Sequence, residues 1–234
     1  RVVSGGEIIA LPGTFTLEAS EYADIGTGPS MVIWPNKQDI TLKISPAATE
    51  PVTIDAQGLG RIFIIQYPVN ITIEGITMRN GNAPSEWGGA IRCADNSTNI
   101  SVKNCRFISN SAYYGGVAFS GNWTATNSIF SGNSCSGDGA VNATGIWTAI
   151  NCVFSNNIAA TGGGGIGYNL DSWAGINSIF WGNGGQVGKL FAYGATPVIA
   201  YSDIQPDGLA IGGGGSITTI ECITEDPLFI STLE

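Results

Sequence analysis

The sequence predicts an all-β chain wound as a right-handed single-stranded parallel β-helix, a solenoid with turns of 23 to 26 residues. Three observations carry the prediction: a segment that recurs at that period, columns of like residues when the copies are aligned, and paired glycines between the copies. The segment reads ISVKNCRFISN up to Asn110, WTATNSIFSGN up to Asn133, WTAINCVFSNN up to Asn157 and WAGINSIFWGN up to Asn183. Its anchors Phe107, Phe130, Phe154 and Phe180 stand 23, 24 and 26 residues apart. ITIEGITMRN, ending at Asn80, and PVIAYSDIQ, with Ile204 in the Phe place, are degenerate copies. A period near 24 is too short for a helical hairpin or a propeller blade and fits one coil of a β-helix.

Strands of successive coils stack about 4.8 Å apart, so equivalent residues should form ladders along the axis. Asn104, Asn127, Asn151 and Asn177 precede each Phe by three residues, and their amides can donate to one neighbour and accept from the other. The expected result is an internal asparagine ladder beside a phenylalanine ladder. Cys105, Ser128, Cys152 and Ser178 are all small, as a tight wall requires. Seven residues before each Phe stand Ile100, Trp123, Trp147 and Trp173, followed two places on by Val102, Ala125, Ala149 and Gly175, so bulk in one column is matched by smallness in the next. Alternation of period two puts both columns, and the asparagines with them, on the inward face.

Between copies lie Gly88-Gly89, Gly115-Gly116, Asp138-Gly139 and Gly163-Gly164, where glycine permits a sharp corner. From the closing Asn to the second glycine the spacing is 9, 6, 6 and 7 residues, so insertions are tolerated there. The reading is one domain over 1–234: less regular opening turns over 1–70, regular repeats over 71–204 and a terminal segment over 205–234.

Composition sets limits on function. Only 12% of the 234 residues are charged while 34 are glycine, a balance that disfavours helices. A formal charge of −9 and a pI near 4.3 repel phosphate backbones and anionic lipid, which argues against nucleic acid as a partner. No stretch approaches the roughly 18 apolar residues of a membrane span, and RVVSGGEIIALPG lacks the layout of a signal peptide. The expectation is a soluble chain, extracellular or at the cell surface, with any secretion signal already removed; Arg1 in place of Met points to processing or to a fragment.

Catalytic constellations are sparse. The absence of histidine removes Ser-His and Cys-His nucleophile systems. Asp95, Asp138 and Asp171 are scattered singly, and Lys103, Arg92 and Arg106 are the one basic group of the repeats. Of five cysteines, Cys105 and Cys152 share a column two coils apart, about 9.6 Å and beyond the roughly 7 Å reach of a disulfide. Cys93, Cys135 and Cys222 lie off that column and leave room for one bridge of undetermined pairing. Trp87, Tyr113 and Tyr114, just before glycine corners one coil apart, suit stacking on sugar faces as well as packing of the turn. Asn-x-Ser/Thr sequons stand at Asn70, Asn96, Asn99, Asn122 and Asn142, and no regular Thr-x-Thr columns are expected.

Paired glycines followed by small and apolar residues, alternating with Phe-x-x-Asn, resemble the repeats of chlamydial polymorphic outer-membrane proteins and of secreted β-helix proteins related in fold to pectate lyases. Gly6 to Phe15, Val52-Thr53-Ile54-Asp55-Ala56, Ile71 to Ile76 and Asp226-Pro227-Leu228-Phe229 are similar to opening, early and closing segments of such solenoids. The resemblance implies the fold and leaves function open, because this fold hosts enzymes, adhesins and inert stalks. It also implies a cap that is missing: no amphipathic helix precedes Gly6, so one or both ends are expected to meet another copy of the chain or an adjoining domain. The resulting expectation is a non-catalytic structural or adhesive scaffold without cofactor. The alternative is a polysaccharide-binding or polysaccharide-cleaving protein, in which calcium would serve a lyase-type reaction.

Overall fold

Short runs of β-branched and aromatic residues, cut every few positions by Gly, Asn or Ser, can only form short extended strands that need neighbours on both sides. The chain supplies those neighbours by coiling. The computed structural model describes residues 3–26, 28–94, 96–160, 165–185, 189–192, 196–206, 210–212 and 216–228. Among them the only helix is one 3-10 turn, Ala19–Glu21. Arg1, Asp95, the Gly163-Gly164 pair and Phe229 lie outside the described residues.

The strands form a parallel β-solenoid. One sheet stacks eight strands, from Gly13–Phe15 through Val52–Asp55, Ile76–Arg79, Arg106–Ile108, Ile129–Ser131, Val153–Ser155 and Ile179–Trp181 to Asp203–Ile204, all parallel. A five-stranded sheet stacks Asn82–Trp87, Ser111–Tyr114, Ser134–Cys135, Ile158–Ala159 and Gly184–Gly185. A sixteen-stranded sheet supplies two further faces, which merge where the long strands Asn142–Ile150 and Gly167–Ile176 run through both. All faces are present in five turns. The opening is less regular: Ala23–Asp24 pairs antiparallel with Pro29–Trp34, the single departure from parallel pairing among these strands.

The core is layered as the repeat requires. Phe107, Phe130, Phe154 and Phe180 are direct register partners, fully buried, with centroids 5.0, 4.8 and 4.9 Å apart and rings within 8° of parallel. Trp123 stacks on Trp147 at 4.9 Å, and each Trp meets a Phe edge-on, as Trp147 does Phe130 at 5.8 Å. The matching of large and small columns has a direct cause at Gly175, where a Cβ would come within 2.7 Å of the Trp173 ring. Truncating one such buried ring costs about 3–5 kcal/mol.

The asparagines, however, divide into two ladders, and the expectation of an internal one at Asn104, Asn127, Asn151 and Asn177 is corrected. Their side chains are exposed, and their backbones take left-handed φ values of 52°, 49°, 54° and 49°. They occupy the corner between the Trp strand and the Phe strand, where Asn tolerates a conformation most residues resist. The period-two count fails because it was carried across that corner: the strand ends at Thr126, Asn127 points out and Ser128 turns in. The amides still form a ladder, from Asn127 Nδ2 to Asn104 Oδ1 at 3.3 Å, Asn151 to Asn127 at 3.2 Å and Asn177 to Asn151 at 2.7 Å.

The internal ladder consists of the asparagines that close each repeat, Asn110, Asn133, Asn157 and Asn183, all at most 2% exposed. Asn133 Nδ2 donates to Phe107 O at 3.0 Å and to Asn157 Oδ1 at 2.8 Å, while its Oδ1 accepts from the amide N–H and Nδ2 of Asn110, both at 3.0 Å. Gly81 N–H closes the ladder on Asn110 Oδ1, and Gln205 Oε1 closes it on Asn183 N–H. Beside it the small wall is bonded too: Cys105 N–H donates to Ser128 Oγ and Cys152 N–H to Ser178 Oγ. All five cysteines are free thiols, so no bridge joins Cys93, Cys135 and Cys222. Burial pushes the Cys105 thiol up to about 11 and raises those of Cys135 and Cys152 as well, which leaves them protonated and inert at neutral pH.

Candidate functional site

Three surfaces of the solenoid differ from its plain exterior. The first lies where the Gly88 and Gly115 corners bring Trp87 and Tyr114 into register on adjacent coils. Trp87, Tyr113 and Tyr114, singled out in the sequence, fall here together and are joined by Phe119 and Tyr168, which the repeat pattern did not mark. Trp87 stacks on Phe119 with centroids 4.6 Å apart and planes 21° apart. Tyr114 stacks on Tyr168 at 5.4 Å and takes Tyr113 edge-on at 4.6 Å. Gly137 makes room, since a Cβ there would meet the Tyr114 ring at 2.6 Å. Trp87 remains 38% and Tyr113 43% exposed.

Charge at this corner is arranged from beneath and from the side. Arg61 is fully buried; its Nη2 donates to Trp87 O at 2.7 Å, its Nε to Gly88 O at 2.8 Å and its Nη1 to Ser30 Oγ at 3.1 Å. Burial, with the charge of Arg92 next, lowers its guanidinium to about 10, so it stays charged at neutral pH and pins the backbone of Trp87. Arg92 lies 5.0 Å from the centre of the Trp87 ring and donates to Glu86 Oε2 at 3.0 Å. Burial raises the Asp138 carboxyl, and burial, then Tyr113, raises the Tyr114 phenol. Arg61 had no sequence signal, being one arginine in the run Arg-Ile-Phe-Ile-Ile.

The second surface is the outer side of the Trp strands. Asn70, Asn99 and Asn122 are register partners there, linked by amide hydrogen bonds of 2.9 and 3.2 Å and extended to Asp39 by one of 3.0 Å. Beside them runs a hydroxyl column of Thr41, Thr72, Ser101, Thr124 and Thr148. Both columns border a shallow depression of about 380 Å³. The next outward column reads Lys43, Glu74, Lys103 and Thr126, so a second hydroxyl row does not form. Three sequons thus stack in one column, whereas the side chain of the sequon Asn142 is buried, its amide atoms without a hydrogen-bond partner.

The third surface is the open first turn. Glu7–Ala10 ends its sheet, pairing with Ile40–Ile44 on one side only. Beside it Ile8, Leu11, Phe15, Met31, Val32 and Trp34 border an apolar cavity of about 610 Å³.

The ion-paired carboxylates of the described residues are dispersed. Glu7 pairs with Lys43, Asp55 with Arg79 and Glu86 with Arg92, each carboxylate on a different face. Arg92, Lys103 and Arg106, grouped in the sequence, stand on three separate strands, Ile91–Cys93, Asn99–Lys103 and Arg106–Ile108, belonging to three faces. Among the described residues no cluster of three or more His, Cys, Asp or Glu could hold a metal ion, and no helix is long and apolar enough to cross a membrane. No family model matches the sequence, and no curated protein or solved structure matches it significantly.

Proposed function

We propose that the chain is a non-catalytic scaffold working outside the cell, a rod that joins end-on to copies of itself or to adjoining domains in a structural or adhesive role. The observation that carries this reading is the open first turn: a parallel edge strand beside a core-like cavity with no covering element among the described residues. An uncovered edge of this kind is a template for another strand, and the exposed Ile9, Leu11, Phe15 and Val32 add apolar area to the contact. Stacked rings and the bonded ladder of internal asparagines repeat the same contacts from coil to coil, as a rod requires. Dispersed carboxylates and the lack of histidine favour this reading over polysaccharide cleavage. Burial keeps the Cys105, Cys135 and Cys152 thiols protonated and slow to oxidise, so free cysteines are compatible with a site outside the cell.

Sedimentation velocity over a concentration series tests it. The chain should form end-on oligomers, and the double substitution Ile9→Lys, Phe15→Lys should return it to monomer. A natural full-length chain that stays monomeric at high concentration and binds no further domain overturns the reading.

A further inference from the structure

We propose that the aromatic corner formed by Trp87, Tyr113, Tyr114, Phe119 and Tyr168 is a binding platform for a neutral polysaccharide. This goes beyond the scaffold reading and stands on other residues.

The corner does not need its rings in order to fold. The same turn is made one coil later at Asp138-Gly139, where Gly115 N–H reaches Asp138 O just as Gly88 N–H reaches Tyr114 O, and the glycine keeps its left-handed φ of 74° with an aspartate in the aromatic place. The rings are therefore additional to the architecture. Of the five other tryptophans, Trp34, Trp123, Trp147 and Trp173 are at most 3% exposed and Trp181 is half-buried, whereas Trp87 is an exposed residue with 38% of its surface in solvent. Exposing an indole and a phenol at the same corner of adjacent coils forgoes apolar burial, a loss that a ligand able to cover them would recover.

The support beneath the rings is preorganised. Arg61 holds the Trp87 carbonyl from the buried side, Phe119 backs the indole, and Gly137 seats the Tyr114 ring. A platform fixed in this way loses little conformational entropy on binding. Its polar groups lie over and beside the rings: Arg92 sits over the Trp87 ring and donates to Glu86, Glu86 accepts, and the phenol hydroxyls do both. This combination of flat apolar faces and paired donors and acceptors matches a pyranose, which presents C–H faces above and below and hydroxyls around its edge. Charge selects the neutral class. Glu86 offsets Arg92 at 3.0 Å, the Arg61 guanidinium is spent on carbonyls, and the whole chain carries −9, which repels polyuronates and sulfated chains.

Affinity electrophoresis through gels containing hydroxyethylcellulose, xylan or laminarin, with polygalacturonate as the acidic arm, tests the proposal on the intact chain. At least one neutral polymer should retard the protein. Trp87→Ala and Tyr113→Ala should each weaken retardation about tenfold, or ~1.4 kcal/mol. Tyr201→Ala, at a still more exposed ring on another corner, should leave it unchanged. Trp87→Phe, which keeps a ring on Phe119, should retain part of the binding and guards against a folding defect in the alanine variant; thermal melting of each variant checks the fold. Retardation by none of the neutral polymers, retardation by polygalacturonate alone, or equal retardation of wild type, Trp87→Ala and Tyr113→Ala overturns it. Sedimentation of Trp87→Ala should match wild type, so failure here and failure of end-on association are read separately.

Discussion

Two asparagine ladders run side by side through four coils of this solenoid, six residues apart in the chain, and they do different work. In Asn110, Asn133, Asn157 and Asn183 the side chain is buried and each interior amide bonds both neighbouring asparagines and a backbone carbonyl. In Asn104, Asn127, Asn151 and Asn177 the side chain is in water and makes one bond, of 2.7 to 3.3 Å, to each neighbour; the residue is required for its left-handed backbone. The first ladder is selected by side-chain chemistry and the second by φ. A repeated residue thus reveals a repeated position without revealing which property of the residue the position uses.

Substitutions separate the two. Asn133→Ala removes the acceptor for the Asn110 N–H and one hydrogen-bond partner each from the buried side-chain amides of Asn110 and Asn157. With unsatisfied buried groups costing about 1–3 kcal/mol each, the loss should reach about 3 kcal/mol or more in urea denaturation. On the outer ladder Asn127→Val should cost about 1–2 kcal/mol through left-handed strain alone, whereas Asn127→Gly should lie within about 0.5 kcal/mol of wild type. Should Asn127→Gly prove as damaging as Asn133→Ala, the division of roles is wrong.

Asn142 sharpens the contrast from the opposite direction. It is a buried asparagine outside either ladder, its amide without a partner, in a column whose other members include Phe63, Ile91 and Ala118. Asn142→Val should therefore stabilise the chain, by about 1 kcal/mol. Asp55 offers the smallest effect and the one that depends on pH. Burial raises its carboxyl, but hydrogen bonds from Asn80, the Gln57 N–H and Arg79 outweigh that and lower it overall. A lowered folded-state value stabilises the fold above the unfolded value of about 3.9, and the stabilisation is lost as pH falls through the folded one. Thermal melts of wild type and Asp55→Asn should therefore differ at neutral pH and converge in strong acid.

The fold was legible because Phe107, Phe130, Phe154 and Phe180 recur at a nearly fixed interval, and only vertical stacking gives that interval a physical purpose. Orientation within each coil was less so. Alternation holds along the strand Asn122–Thr126 and then breaks at Asn127, and no local preference announces that the corner falls there. The left-handed tolerance of Asn was the available clue. The aromatic corner was half legible: Trp87, Tyr113 and Tyr114 stand beside glycines, but Phe119 and Tyr168 reach them through register across coils, which sequence distance hides. The column of Asn70, Asn99 and Asn122 is legible too, since each stands one residue before the Trp-column position, but it faces outward, where the repeat pattern is weaker than in the buried columns.

The unbroken register of the Phe sheet from Gly13 to Ile204 means that the strands of each coil pair only with the coil before and the coil after. Such a chain behaves as a ruler. Duplicating one coil should lengthen the molecule by a single graduation of about 4.8 Å while leaving the pairing of every other strand as it was.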